Sequence, residues 1–170
     1  GAYKYLGQIR QLLFDGKQKE AEDLAMKEFM SVPLNQKTYQ AFGDLNLHFL
    51  NQAAFTDYYR DLDLKSAVCR VSYKSNGTNF TREYLSSFPD QVIAIRLTAD
   101  RAKALNFSLD MDALHESKTT TANGNTLTLK VQVKDGALRG VATLKVVSDG
   151  TVTAQGNQLS VSGAKTATIY

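Results

Sequence analysis

An Asn-Gly dipeptide, Asn76-Gly77, stands between two stretches in which apolar and polar residues alternate. A two-residue type I′ turn needs a positive φ at both central positions, and Asn-Gly is the pair that favours it most strongly. The dipeptide therefore predicts a β-hairpin and fixes its register. The residues predicted to lie directly opposite each other are Ser75 and Thr78, Tyr73 and Phe80, Val71 and Arg82, Arg70 and Glu83, and Cys69 and Tyr84.

The register also predicts which face of the hairpin is buried, because successive side chains of a strand point to opposite faces. The predicted buried face collects Ala67, Cys69, Val71, Tyr73, Phe80 and Tyr84. The solvent face collects Val68, Arg70, Ser72, Lys74, Asn79, Thr81, Glu83 and Leu85. Arg82 falls on the buried face, where a charged group needs a partner or an exit to solvent at a sheet edge. A third strand is predicted at residues 91–99, after Pro89.

Length and composition narrow the class of protein. A chain of 170 residues fits one domain with a substantial core. The net charge of +3 is small and the basic residues are dispersed, which argues against a nucleic-acid partner. No apolar stretch is long enough to span a membrane. The single cysteine, Cys69, is predicted to be a small buried hydrophobic residue and not a nucleophile, since no histidine is near it in sequence.

Two kinds of hydrophobic period divide the chain. Residues 1–33 carry apolar residues at helical spacing and are predicted to form a helical hairpin, broken at Asp15-Gly16, that packs on the rest of the chain. From residue 34 to residue 170 the period is two, and Gly-containing turns separate short apolar stretches. This pattern predicts a mainly β fold, an antiparallel β-sandwich, in one structural domain.

Two pairs of carboxylates could in principle carry chemistry: Asp61 with Asp63, and Asp110 with Asp112. Residues two apart on a strand are separated by about 6.6 Å, near the roughly 6.5–9.5 Å that separates the acid and base of an inverting glycosidase. The two catalytic groups must nevertheless flank the sugar from opposite sides, whereas these pairs point the same way. Solvent-exposed outer faces are therefore predicted, with the inward positions taken by Leu62, Leu64, Leu109 and Met111.

Other site types find little support in the sequence. His48 and His115 are far apart and lack further ligands at metal-binding spacing, so both are predicted to be isolated polar histidines without a metal. We find no glycine-rich phosphate loop and no Gly-x-Ser-x-Gly elbow, and no cofactor is predicted. Tryptophan, the largest surface on which a sugar ring can stack, is absent, which weakens an autonomous sugar-binding role.

The first 100 residues resemble the N-terminal domain of glycoside hydrolase family 95, the inverting α-L-fucosidases and their close relatives. The resemblance rests on the joint order of several stretches. They are IRQLLFDGK (9–17), AE (21–22), YQAFGDL (39–45), YYRDLDL (58–64), VSY (71–73), FTRE (80–83) and FPDQVIAIRLTA (88–99).

This resemblance implies a β-sandwich that precedes an (α/α)6 catalytic barrel in the full-length enzyme. The family's general acid and its water-activating residues belong to that barrel, so no catalytic residue is assigned to this chain and its binding residues stay unassigned. The implied partners are the catalytic domain of the same polypeptide and, through the parent enzyme, fucosylated oligosaccharides. The resemblance favours a periplasmic or extracellular location in a bacterium. The chain is expected to be a fragment truncated at both ends, inactive alone although its parent is an enzyme. A free-standing carbohydrate-binding or adhesion module is the alternative.

Overall fold

The computed structural model describes residues 1–35, 38–50 and 54–170, and residues 1–40 and 41–170 form two compact units. The first unit contains a 3₁₀ turn at Ala2–Tyr5, helix α1 (Leu6–Phe14) and helix α2 (Gln18–Glu28). Gly16 joins the helices with a φ of 73°, a conformation that glycine adopts without steric cost. Both helices predicted from the apolar spacing are thus present. Their packing on the remainder of the chain stays a prediction.

The second unit is all β, and its described residues form strands that pair antiparallel throughout. The strands are β1 (Asp44–Phe49), β2 (Phe55–Asp63), β3 (Val68–Ser75), β4 (Thr78–Ser87), β5 (Val92–Ala99), β6 (Leu105–Asp112), β7 (Ser117–Asn123), β8 (Thr126–Gln132), β9 (Arg139–Ser148), β10 (Thr151–Gln155), β11 (Gln158–Ala164) and β12 (Thr166–Ile169). One sheet has four strands in the order β1-β6-β11-β10. The other has eight, in the order β2-β3-β4-β5-β12-β9-β8-β7.

The two sheets bury a common core, which makes the unit a sandwich as the sequence predicts. The smaller sheet contributes residues of β6 and β11, among them Phe107, Leu109 and Leu159, none of which is exposed. The larger sheet contributes inward residues of β5, β8, β9 and β12, such as Leu97 and Leu127. Alternation of apolar and polar residues along each strand produces this arrangement, since it places one apolar face on each sheet.

The hairpin of β3 and β4 has the predicted register at every pair. Asn76 and Gly77 have φ values of 49° and 73°, as a type I′ turn requires. The rings of Tyr73 and Phe80 stack with their centres 5.4 Å apart, and both side chains are buried. The third strand begins at Val92, because Gln91 has a positive φ of 52°.

The predicted burial was wrong at three positions. Ala67 is exposed, with a φ of 55°, because it belongs to the turn before β3. Leu62 lies opposite Cys69 on the inner face of β2 but is 57% exposed, since β2 is an end strand of the wider sheet. Leu64 follows the last residue of β2 and is 85% exposed. Cys69 itself is half-buried.

Candidate functional site

The outward face of the smaller sheet carries the densest group of hydrogen-bonding side chains in the second unit. Leu109 and Met111 of β6 point into the core, so the pleat directs Asp110 and Asp112 outward, as predicted. β1 pairs with β6 and places Asn46 directly opposite Asp110. The sheet therefore gathers polar groups that are distant in sequence onto one surface.

Asp110 is the centre of this surface. Its Oδ1 accepts a hydrogen bond of 2.9 Å from the Asn46 side-chain amide, and its Oδ2 lies 2.9 Å from Nε2 of His48. The bond from Asn46 is the main cause that lowers the pKa of Asp110, with smaller contributions from His48 and Gln158, while burial opposes the shift. The carboxylate is thus held in its ionised form.

Asp112 has a different set of partners at the neighbouring outward position of β6. Its Oδ1 lies 2.6 Å from Nζ of Lys118 on β7, and the same ammonium donates to the backbone oxygen of Ala113. The hydrogen bond from Lys118 is the main cause that lowers the pKa of Asp112. Beside it, the Thr120 hydroxyl donates to the backbone oxygen of Met111 at 2.8 Å.

These groups line an open cleft of about 530 Å³. The cleft lies where β1, β6, β7 and the turn before β11 meet. Its lining residues are Asn46, Asp110, Met111, Asp112, Lys118, Thr120, Asn157 and Gln158. Carboxylate, amide, ammonium and hydroxyl groups converge here, so the cleft suits a ligand that both donates and accepts hydrogen bonds, such as a polyol or a sugar.

The other aspartate pair lies on the opposite side of the sandwich. Asp61 is opposite Arg70 on the outward face of the larger sheet. Asp63 ends β2, where its carboxylate accepts hydrogen bonds from the Ser66 hydroxyl at 2.8 Å and the Lys65 amide at 2.9 Å. The bond from Ser66 is the main cause that lowers the pKa of Asp63. The hydrophobic core separates this pair from Asp110 and Asp112, so the two pairs do not form one site.

The histidines differ from each other. His48 was predicted to be isolated, and this is wrong, since it pairs with Asp110 across β1 and β6. A sequence signal existed: the polar positions of β1 alternate with Leu45, Leu47 and Phe49, which places His48 on an outward face. His115 lies apart from the cleft, with Nε2 3.1 Å from the backbone oxygen of Ala41.

The chemistry available to the cleft follows from these charges. A general acid needs a carboxyl whose pKa is raised so that it keeps a proton near neutral pH. The pKa values of Asp110 and Asp112 are both lowered, and the two carboxylates project from one side of one strand. The cleft is therefore a hydrogen-bonding surface. Within residues 1–35, 38–50 and 54–170, no three His, Cys, Asp or Glu side chains are grouped as metal ligands, and no helix is long and apolar enough to span a membrane.

Comparison with known proteins assigns a context to this fold. Residues 1–170 match the family model described as glycosyl hydrolase family 65, N-terminal domain. The chain is 34% identical over 129 residues to α-L-fucosidase 2 of Arabidopsis thaliana, an alignment that covers 74% of the chain and 15% of that protein. It is 27% identical over 93 residues to the probable α-fucosidase A of Aspergillus niger, covering 54% of the chain and 12% of that protein.

A solved structure supports the fold. A putative kojibiose phosphorylase from the human microbiome superimposes with a TM-score of 0.50 at 15% identity, over 74% of this chain and 21% of that one. At this identity the likeness concerns the fold alone. The chain spans less than one sixth of the length of the two fucosidase-named relatives it matches.

Proposed function

This chain belongs to the family of glycosyl hydrolase family 65 N-terminal domains, and from that premise we propose that it is the non-catalytic N-terminal domain of an α-L-fucosidase-like enzyme. In this proposal it supports an (α/α)6 catalytic domain of the same polypeptide, as in glycoside hydrolase family 95. The parent enzyme hydrolyses fucosylated glycans with inversion of configuration. The observation that carries the proposal is that the whole chain matches an N-terminal-domain model while it aligns with only 15% of a fucosidase-named relative.

The geometry of the aspartates is consistent with a supporting role. Inverting hydrolysis needs an acid on one side of the sugar and a base that holds water on the other. Asp61 and Asp110 project from opposite outer faces of a sandwich whose core contains Phe107 and Leu97. No sugar ring can contact both. Each carboxylate with a shifted pKa is shifted downward, which removes it from the role of acid.

The test compares the purified chain with its full-length parent on an aryl α-L-fucoside and on a 2′-fucosylated oligosaccharide. We expect turnover by the parent alone, and proton NMR of its first product should show β-L-fucose, the sign of inversion. Turnover by the 170-residue chain that survives repurification would overturn the supporting role. A parent that cleaves other glycosides but neither fucoside would overturn the substrate assignment.

A second candidate function is a free-standing carbohydrate-binding or adhesion module, and the polar cleft beside Asp110 favours it. The discriminating measurement is calorimetric titration of the chain with L-fucose and with 2′-fucosyllactose. Saturable binding that is lost in Asn46→Ala but kept in Ser160→Ala, a variant of the same outward face, would favour the module. Absence of heat at millimolar sugar favours the supporting domain.

A further inference from the structure

One part of the larger sheet's inner face has no covering strand among the described residues. The guanidinium carbon of Arg82 on β4 lies 3.9 Å from the centre of the Phe49 ring on β1, so the end strand of the smaller sheet lies over β4. The larger sheet continues beyond β4 to β3 and β2. We call its uncovered inner residues the overhanging face: Leu62, Cys69, Tyr84 and Ile93.

The overhanging face is apolar and accessible. Leu62 and Ile93 are 57% and 62% exposed although both have inward positions, and Cys69 and Tyr84 are half-buried. Cys69 lies directly opposite both Leu62 and Tyr84, which makes the surface continuous across three strands. Contiguous exposed apolar surface of this kind marks an interaction site.

β1 borders this face with an unpaired edge. The amide of Leu50 donates to the backbone oxygen of Asn106 at 3.0 Å, which sets the alternation of hydrogen bonds between β1 and β6. The backbone groups of Leu45, Leu47 and Phe49 consequently point away from β6. Within the described ranges β6 is the only strand paired with β1. Such an edge accepts an added strand through its free amides and carbonyls.

Arg82 supplies an electrostatic requirement at the same place. Its Nη2 donates to the Tyr73 hydroxyl at 2.7 Å, whereas its Nε is buried without a hydrogen-bond partner. Arg70 on the adjacent strand shows how this fold satisfies such a group, because its Nε and Nη2 both bind the Glu83 carboxylate. A buried guanidinium nitrogen without a partner is costly, and a carboxylate is its natural complement.

We propose that the overhanging face and the free edge of β1 together bind a β-strand from the part of the parent polypeptide outside residues 1–170. The strand adds to β1, lays alternate apolar side chains on the overhanging face, and brings a carboxylate to Nε of Arg82. The inference rests on the proposed function in one respect, that this chain is one domain of a longer polypeptide. The relatives, of which the chain spans 15% and 12%, have ample further sequence for such a strand.

Hydrogen exchange followed by mass spectrometry tests strand addition on the isolated chain and on its full-length parent. We expect the amides of β1 to exchange about tenfold or more slowly in the parent than in the isolated chain. β10, the other end strand of the same sheet, is the matched control and should exchange equally in both. Equal exchange of β1 in both proteins would overturn the proposal. So would a concentration-dependent dimer of the isolated chain in which β1 is protected, because the occupant would then be a second copy.

Substitution of Arg82 by methionine tests the carboxylate. In the isolated chain Arg82→Met removes an unpartnered buried group together with its contacts to Tyr73 and Phe49, so we expect a small shift of the unfolding midpoint. In the parent it also leaves the incoming carboxylate unpaired, so we expect a clearly larger loss. Arg96→Met, on the exposed outward face of β5, is the matched control and should behave alike in both proteins. Equal loss for Arg82→Met in both would overturn the carboxylate.

Leu62→Ser offers a second readout that does not depend on Arg82. Leu62 is exposed in the isolated chain, so the change should leave its stability unaltered and lower that of the parent. Leu138→Ser, at a site 74% exposed beside β9, should alter neither. These outcomes are independent of activity, since a parent that cleaves no fucoside would refute the proposed function and leave the exchange result intact.

Discussion

Nε2 of His48 lies 2.9 Å from Oδ2 of Asp110, and this pair joins two strands whose residues are 62 positions apart in sequence. Asn46 holds the other oxygen of the same carboxylate and is the main cause of its lowered pKa. A carboxyl whose pKa is lower in the folded than in the unfolded state stabilises the fold above its unfolded pKa. That stabilisation is lost as the pH falls through the folded pKa.

Asp110→Asn should therefore lower stability at pH 7 and flatten its loss in acid. We expect a decrease of about 1 kcal/mol at pH 7, at the low end for a charged hydrogen bond because His48 is half-exposed to solvent. At pH 3 the variant and the original chain should differ less. Urea unfolding at both pH values measures this, with the exposed Asp135→Asn as control. An equal difference at both pH values would show that the carboxylate's charge is not responsible.

The stacked rings of Tyr73 and Phe80 close one end of the core, and this gives a prediction on stability. Phe80 is 6% exposed, so Phe80→Ala should lower the free energy of unfolding by about 3–5 kcal/mol through lost burial and a cavity. Phe88, 85% exposed after β4, is the matched control, and Phe88→Ala should change stability by less than about 0.5 kcal/mol. Urea denaturation of both variants compares them directly. Similar losses would mean that the ring contact does not anchor the hairpin.

The turn at Asn76-Gly77 gives a prediction about backbone conformation. A Cβ on Gly77 would meet only the Arg101 guanidinium, 3.5 Å away, so added volume is tolerated and the φ of 73° is what matters. Gly77→Ala should cost about 1–2 kcal/mol because the left-handed region is unfavourable for a residue with a Cβ. Gly77→Asn should cost less, since asparagine adopts this region more readily. Thermal unfolding that ranks alanine equal to or above asparagine would contradict the type I′ assignment.

Local chemistry explains why the hairpin could be predicted in full. Turn type, register and inner face all follow from Asn76-Gly77 and the alternation on either side, and each pairing is found. The sandwich class followed from the same short-range signals repeated along the chain. The exposure of Leu62 could not be predicted in this way, because it depends on the unequal widths of two sheets assembled from distant strands.

The candidate site was predictable only in part, for a related reason. Alternation with Leu109 and Met111 predicts that Asp110 and Asp112 point outward, and they do. It does not predict their neighbours, since the register of β1 against β6 and the position of Lys118 on β7 depend on pairings across many residues. Arg82 is the intermediate case. Its conflict with an apolar face was visible in the sequence, but its stacking on Phe49 needed the second sheet.

The last prediction concerns the parent enzyme and the aspartates that most resemble catalytic groups. If this domain is non-catalytic, Asp61→Asn and Asp112→Asn in the full-length protein should leave kcat on an aryl α-L-fucoside within about twofold of the original. Loss of a true general acid or base instead reduces the rate by about 10²–10⁴. The reason is geometric: Asp112 is bound to Lys118 on the smaller sheet, and Asp61 lies opposite Arg70 on the outward face of the larger sheet. Steady-state kinetics on both variants, with folding checked by circular dichroism, decides the matter. A hundredfold loss of kcat with KM unchanged in either variant would place part of the chemistry in this domain.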